Sequence, residues 1–170
     1  MPHLSNGTVT SPIGFRATAV AAQIKYPDRP DLALIVSEMD CSATAVFTKN
    51  QVVAAPVVVD RATLKANNSH IRAVLINSGN ANASTGQPGL DNARQSQALV
   101  ATAVGCAADE VLVMSTGVIG VQLPMERMQA GIAAAAKKIE PETAVNAEAR
   151  DAAGLAVAKA IMTTDTRPKH

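Results

Sequence analysis

The chain has 170 residues and a formal net charge of +1, with 15 Lys and Arg against 14 Asp and Glu. Hydrophobic residues make up 48% and charged residues 17%, which excludes a disordered chain. Only 2% of the residues are aromatic, so nucleic acid is not an expected partner, because binding it depends on phosphate neutralisation and base stacking. Neither a signal peptide nor an apolar run of roughly 20 residues for a membrane helix is recognisable. We therefore expect a soluble, cytoplasmic protein.

The first half of the chain reads mainly as strands. Residues 1–13 are rich in Pro, Gly and Ser and predict a loose N-terminal arm. Short strands are predicted at 17–24, 31–38, 43–48 and 55–60, and a short helix at 61–68. The nearly continuous apolar run at 72–77 is typical of a strand that is covered on both faces.

Strands and helices alternate in the second half. The predicted order is a loop at 78–89, a helix at 90–104, a buried strand at 110–114, a loop at 115–123, a helix from Pro124 to Lys138 and a helix at 144–161. Strands followed by strand–helix alternation predict an α/β chain with a mixed sheet and flanking helices. Residues 1–170 are expected to form a single domain.

Several kinds of catalytic site are not expected. The three histidines, His3, His70 and His170, lie at the two ends and in a turn, which does not favour a Ser–His–Asp arrangement. The two cysteines, Cys41 and Cys106, form no CxxC pair and are expected to be reduced thiols. His, Cys, Asp and Glu show no clustering typical of a metal site, and no nucleotide-binding loop is present. Neither a metal nor another cofactor is therefore expected.

Two loops after buried strands are rich in small polar residues. Residues 77–86 (NSGNANASTG) follow the first strand, and a network of structural turns is the interpretation that we favour over direct catalysis. Residues 115–120 (STGVIG) follow the second. There the Thr116 hydroxyl and a backbone N–H group at Gly117 are the donors that an oxyanion requires in acyl transfer. From the residues alone, a tight strand-to-helix turn explains this segment equally well.

These loops and three other phrases resemble the ornithine acetyltransferase family, also called glutamate N-acetyltransferases. The matching phrases, in the family's order, are DLALIVSE, AVFTKN with AAPV, LINSGNANASTG, STGVIGVQLPM and AIMTTDTRPK. The resemblance extends from about residue 14 to residue 169. The phrases NSGNANA and STGVIG are the most specific of them, and MTTDT adds independent weight.

The resemblance implies the α chain of a precursor that cleaves itself into an α and a β chain. The N-terminal Thr of the β chain would be the nucleophile, with its own α-amine as the base, so no nucleophile is expected in this chain. The implied reaction moves acetyl from N-acetylornithine to glutamate through an acetyl-enzyme, and some members also use acetyl-CoA. The implied assembly is a heterotetramer of two α and two β chains, and the implied pathway is arginine biosynthesis.

The resemblance also implies roles for individual residues. Thr116 and Gly117 match the family's oxyanion hole, and Thr163 matches a substrate-binding position. Five further residues of the matching phrases are expected to shape the site: Asn77, Gly79, Asn80, Thr164 and Asp165. The segment that holds the family's cleavage point is missing, so the chain alone is expected to be inactive.

Two other functions stay open from the sequence. One is a related acyltransferase of a specialised pathway, since the matched motifs handle the acyl oxygen rather than the side chain of the substrate. The other is a non-catalytic α/β module that binds a small molecule. The presence of both STGVIG and MTTDT argues against the second, because a binding module does not need an oxyanion hole.

Overall fold

The computed structural model describes residues 7–139 and 146–168 of the chain. The elements run in the following order: β1 (Phe15–Val20), β2 (Leu32–Cys41), α1 (Ala55–Ala66), β3 (Ile71–Asn80), α2 (Gly86–Val104), a 3-10 turn (Ala108–Glu110), β4 (Val111–Val118), α3 (Met125–Lys138) and α4 (Ala147–Ala160). None of the described helices is both long and apolar enough to cross a membrane.

The strands form one four-stranded sheet in the order β1-β2-β3-β4. The pairs β1–β2 and β2–β3 are antiparallel, whereas β3 and β4 are parallel and are joined through α2. A parallel pair needs such a crossover, because a tight turn cannot bring the chain back to the same end of the sheet. The predicted α/β fold with a mixed sheet and flanking helices is thereby confirmed.

Alternation along β2 distributes its side chains between the two faces of the sheet. Leu32, Leu34 and Val36 point into the main apolar core, to which α1, α2 and α3 also contribute buried side chains. Ala33 and Ile35 point to the opposite face, where they pack with side chains from α4. The sheet is therefore covered by three helices on one face and by α4 on the other.

The predicted strand at 55–60 is wrong, because these residues form the first half of α1. The buried residues Ala55, Val59 and Thr63 recur every four positions, which is the spacing of an amphipathic helix. Pro56 lies in the first turn, where its missing N–H has no effect on helical hydrogen bonding. Three consecutive valines conceal this period in the sequence. The predicted strand at 43–48 is also absent, and these residues form no regular structure.

Both predicted small-residue loops begin later than expected, because the strands continue into the motifs. Strand β3 extends to Asn80 and β4 extends to Val118, so the polar motifs still form backbone pairs within the sheet. Helices α2, α3 and α4 lie within four residues of their predicted positions. Positions 144 and 145 of the last predicted helix lie outside the described residues.

The described part of the N-terminal arm is docked rather than loose. Thr10 is buried, and its hydroxyl donates to the carbonyl of Arg150 in α4 at 2.6 Å. A Cβ at Gly154 would lie 2.3 Å from the Thr8 hydroxyl oxygen, so α4 and this segment are in close contact. Composition did not indicate this, because the contact depends on a helix far along the chain.

Candidate functional site

The carboxyl ends of the parallel strands β3 and β4 bring the two sequence motifs side by side. Ser78 pairs with Thr116 and Gly79 pairs with Gly117, so the motifs run in register. The register shifts at Asn80, which opposes two residues of β4. Ligand sites of α/β proteins are commonly found at this edge of the sheet, and such irregularities re-aim neighbouring groups.

Gly117 allows the two strand ends to approach each other more closely than side chains would permit. Its φ is +139°, and a Cβ at this position would lie 2.3 Å from the carbonyl carbon of Gly79 and 2.5 Å from the amide nitrogen of Asn80. Gly79 also has a positive φ, of +95°, and a Cβ there would lie 2.5 Å from the Cβ of Lys25. Gly117 is therefore required by the close approach of the strand ends, and Gly79 by its contact with Lys25.

Asparagine side chains hold the chain at the end of β3. The amide of Asn77 donates to the carbonyl of Asn80 at 2.9 Å, and its oxygen accepts from the hydroxyl of Ser115 at 2.6 Å. The Asn80 amide donates to two carbonyls of the loop after β4, both at 3.1 Å, and its oxygen accepts from the backbone N–H of Asn82 at 2.8 Å. All three asparagines are buried. These contacts support the structural interpretation of this segment.

The segment after α4 reaches the same edge of the sheet. The hydroxyl of Ser78 donates to the carbonyl of Ala160, the last residue of α4, at 2.7 Å. Thr163 lies three residues further on and is half-buried, whereas Thr164 and Asp165 are exposed. The structure thus brings together all three segments that the sequence singled out.

Thr116 lies on the α4 side of the sheet. Its strand partner Ser78 contacts α4, and paired residues of neighbouring strands point to the same face. Thr116 is half-buried, and Gly117 beside it is exposed. This edge can therefore offer a hydroxyl beside an exposed glycine backbone to a small ligand.

Apolar side chains beside this edge are unusually exposed. Four residues each expose between 40% and 65% of their surface to solvent: Met114, Val118, Ile119 and Val121. All four lie on β4 or on the loop that follows it.

The histidines and cysteines are not part of this edge as far as the structure describes them. His70 is exposed in the turn before β3 and lies 3.2 Å from the side-chain oxygen of Asn67. His3 and His170 lie outside the described residues. Cys41 and Cys106 are both free thiols. Within 7–139 and 146–168, no three His, Cys, Asp or Glu side chains are grouped as metal ligands.

A cavity of about 320 Å³ lies away from this edge, between β1 and the first half of α4. Alanines form much of its wall, together with the basic residues Arg16, Lys138 and Arg150. Arg16 forms an ion pair with Glu38, with 3.2 Å between Nε and Oε1. The cavity contains none of the motif residues, so the paired strand ends remain the candidate site.

Asp60 is a buried carboxyl group that the sequence did not single out. It lies on α1 with 5% of its surface exposed, and its Oδ1 accepts the backbone N–H of Val113 in β4 at 2.9 Å. Burial raises the pKa of Asp60 from 3.8 to about 7, although the bond from Val113 lowers it in part. Strand β4 is the outermost strand of the sheet, and the carboxyl group of Asp60 provides an acceptor for the N–H of Val113, three residues before Thr116.

This raised pKa predicts that the contribution of Asp60 to the free energy of unfolding falls as the pH increases. Between about pH 4 and pH 7 the folded state retains a proton that the unfolded chain has released, so ionisation increasingly favours unfolding. Asp60→Asn keeps an acceptor oxygen but cannot ionise. We expect its thermal midpoint to exceed that of the wild type at pH 8, with a difference that shrinks towards pH 4. The pKa change sets an upper limit of roughly 4 kcal/mol on the difference in unfolding free energy between Asp60→Asn and the wild type.

The measurement is the thermal midpoint of the complete protein across this pH range. Asp91→Asn, at an exposed position on α2, is the matched control, and its curve is expected to run parallel to that of the wild type. A parallel curve for Asp60→Asn as well would contradict the assignment.

Solved structures share this fold. The chain superposes on ornithine acetyltransferase from Mycobacterium tuberculosis, solved in complex with ornithine, with a TM-score of 0.87 and 40% identity, covering 96% of this chain and 83% of that one. It superposes on the arginine biosynthesis bifunctional protein ArgJ of Bacillus halodurans with a TM-score of 0.85 and 38% identity, covering 96% and 80%. The fold is therefore that of the ornithine acetyltransferases.

Sequence comparison gives the family. The model of the ArgJ family matches residues 16–170. The arginine biosynthesis bifunctional protein ArgJ of Geobacter sulfurreducens is 47% identical over 156 residues, and that of Symbiobacterium thermophilum is 45% identical over 166 residues. The chain belongs to the ArgJ family. It spans 37% and 38% of the length of these two relatives.

Proposed function

We propose that the chain is the α chain of an ornithine acetyltransferase that acts in arginine biosynthesis in the cytoplasm. Its partner in this proposal is a β chain cut from the same precursor, and two of each assemble into a heterotetramer. Membership of the ArgJ family and the greater length of the curated relatives support this proposal. The exposed apolar side chains on β4 and the loop after it also support it, because such surfaces commonly mark contacts with a partner.

The observation that carries the proposal is the convergence of three motif segments at one edge of the sheet. Register places Thr116 and Gly117 against Ser78 and Gly79, and the Ser78 hydroxyl ties this pair to the end of α4. Thr163 lies three residues after that helix end. A reacting carbonyl at this edge would meet oxyanion donors from β4 and a further hydroxyl from the segment after α4.

The proposed chemistry is a two-step acetyl transfer. The N-terminal Thr of the β chain attacks the acetamide carbonyl of N-acetylornithine, and its α-amine accepts the hydroxyl proton and passes it to the departing nitrogen, so that ornithine leaves as the amine. The amine of glutamate then attacks the acetyl ester, which releases N-acetylglutamate and restores the Thr hydroxyl. Each step passes through a tetrahedral oxyanion, which the Thr116 hydroxyl and the Gly117 N–H group stabilise. Acetyl-CoA, with a thioester at the same position, is a second donor to be tested.

The proposal assigns Thr163 to the binding of the acetyl donor. Thr163→Ala removes a hydroxyl from a half-buried position while leaving the helix end intact. We expect the KM for N-acetylornithine to rise roughly 2- to 10-fold, because the loss of one neutral hydrogen bond to the substrate weakens binding by about this factor. The thermal midpoint should stay unchanged.

The measurement is steady-state formation of ornithine and N-acetylglutamate by the complete protein. Thr102→Ala, at an exposed position on α2, is the control and should keep wild-type kinetics. An unchanged KM for Thr163→Ala would show that the substrate-binding assignment is wrong. A wild-type protein that transfers acetyl to another amine but not to glutamate would identify an acyltransferase of a specialised pathway instead.

A further inference from the structure

Two carbonyl groups, one at the end of α4 and one just beyond it, accept hydrogen bonds from residues in distant parts of the chain. The last carbonyls of a helix have no partners within the helix and need other donors. At this end, the Ser78 hydroxyl donates to the carbonyl of Ala160 at 2.7 Å, and Ser78 itself is fully buried. The guanidinium of Arg29 donates from Nη2 to the carbonyl of Met162 at 2.5 Å.

Arg29 is itself held in place. Its guanidinium carbon lies 3.8 Å from the centroid of the Tyr26 ring, in stacking contact. The neighbouring Asp31 is fully buried, and its carboxylate accepts the backbone N–H groups of Ala22 and Ile24 at 2.8 and 2.7 Å. The turn that carries Arg29 is thereby fixed to the start of β2.

Ser78 also contacts the strand that carries Thr116. Its backbone pairs with Thr116 in β4, and its N–H donates to the carbonyl of Asp31 at 2.8 Å. A single residue therefore contacts the residue before β2, strand β4 and the end of α4. The bond from the Ser78 hydroxyl therefore ties the end of α4 to the strand pair that carries Thr116.

We propose that Ser78 and Arg29 are positioning residues that together set the distance between Thr163 and Thr116. The two bonds end on the carbonyls of Ala160 and Met162, so they fix the position of the backbone just before Thr163. This inference rests on the proposed function, which assigns Thr163 to donor binding. Accurate placement matters because the Thr163 hydroxyl can bind the acetyl donor only where it lies within hydrogen-bond distance of it.

The test is a double-mutant cycle in the complete protein, with N-acetylornithine as donor and glutamate as acceptor. Ser78→Ala and Arg29→Ala are each made alone and together with Thr163→Ala. Each single substitution is expected to raise the KM for N-acetylornithine roughly 2- to 10-fold, with a smaller change in kcat. In the Thr163→Ala background each should add little, because residues that act through a shared group are not additive.

Matched controls separate this role from a general effect on stability. Ser69→Ala and Arg94→Ala remove the same side chains at exposed positions and should keep the wild-type KM. Ser78→Ala leaves a buried carbonyl without its donor, so Arg29→Ala decides the outcome if the Ser78 variant does not assemble.

Two results would overturn the proposal, and they have different consequences. If Thr163→Ala raises the KM while Ser78→Ala and Arg29→Ala do not, or if their effects persist undiminished in the Thr163→Ala background, only the positioning role is wrong. If Thr163→Ala itself leaves the KM unchanged, the donor-binding assignment is wrong and the positioning role is overturned with it.

Discussion

Thr116→Ala is expected to lower kcat by about 10²–10³ while the protein assembles normally. In the proposed mechanism the Thr116 hydroxyl donates to an oxyanion that exists only in the transition state and the tetrahedral intermediate. Its loss should therefore reduce kcat and kcat/KM together and leave KM largely unchanged. The backbone pairing between Thr116 and Ser78 does not depend on the side-chain hydroxyl, so the sheet should persist.

The measurement combines steady-state kinetics with the thermal midpoint of the complete protein. Thr116→Ser is the matched variant, because it retains the hydroxyl and should keep most of the activity. Turnover at the wild-type rate in Thr116→Ala would remove the oxyanion assignment. A fall in the thermal midpoint that accompanied the loss of activity would instead indicate a structural role.

Gly117→Ala is expected to be the most disruptive single substitution at this edge. The new Cβ would lie 2.3 to 2.6 Å from backbone atoms of Gly79 and Asn80, which cannot rotate away as a flexible side chain could. Strands β3 and β4 would have to separate at their carboxyl ends, and the alanine would also adopt a strained φ of +139°. We expect a loss of roughly 3 kcal/mol or more of stability, together with loss of acetyl transfer.

Gly120→Ala is the matched control for this substitution. Gly120 also has a positive φ, of +82°, but a Cβ there would meet no atom within 4 Å. Its expected effect is limited to the backbone strain of about 1 kcal/mol. Equal thermal midpoints for the two variants would contradict the close approach of the strand ends.

Local patterns predict much of this fold, but they fail where several apolar residues are consecutive. Strands in the first half followed by strand–helix alternation in the second predicted the mixed sheet and three of its flanking helices. The three valines after Pro56 read as a strand because consecutive β-branched residues conceal a helical period. Burial in helix α1 depends on packing against α2 and β4, which local sequence does not contain.

The candidate site was predictable where it lies in compact motifs and not where it depends on distant contacts. The motifs that contain Thr116 and Thr163 were visible as phrases, and so were the asparagines after β3. Arg29 lies in an ordinary turn, and its bond to Met162 spans 133 positions of sequence. Asp60 likewise reaches Val113 across 53 positions. No local period or motif indicates such contacts, because they exist only once the chain has folded.

The most direct test of the account is the intact mass of every chain after incubation with N-acetylornithine alone. The complete protein is expressed from its full gene, and glutamate is omitted so that an acetyl-enzyme accumulates. We predict two chains in equal amounts, with one acetyl group on a second chain that begins with Thr and none on the chain described above. A single chain without acetyl, or an acetyl group on the chain that carries Thr116, would contradict the account.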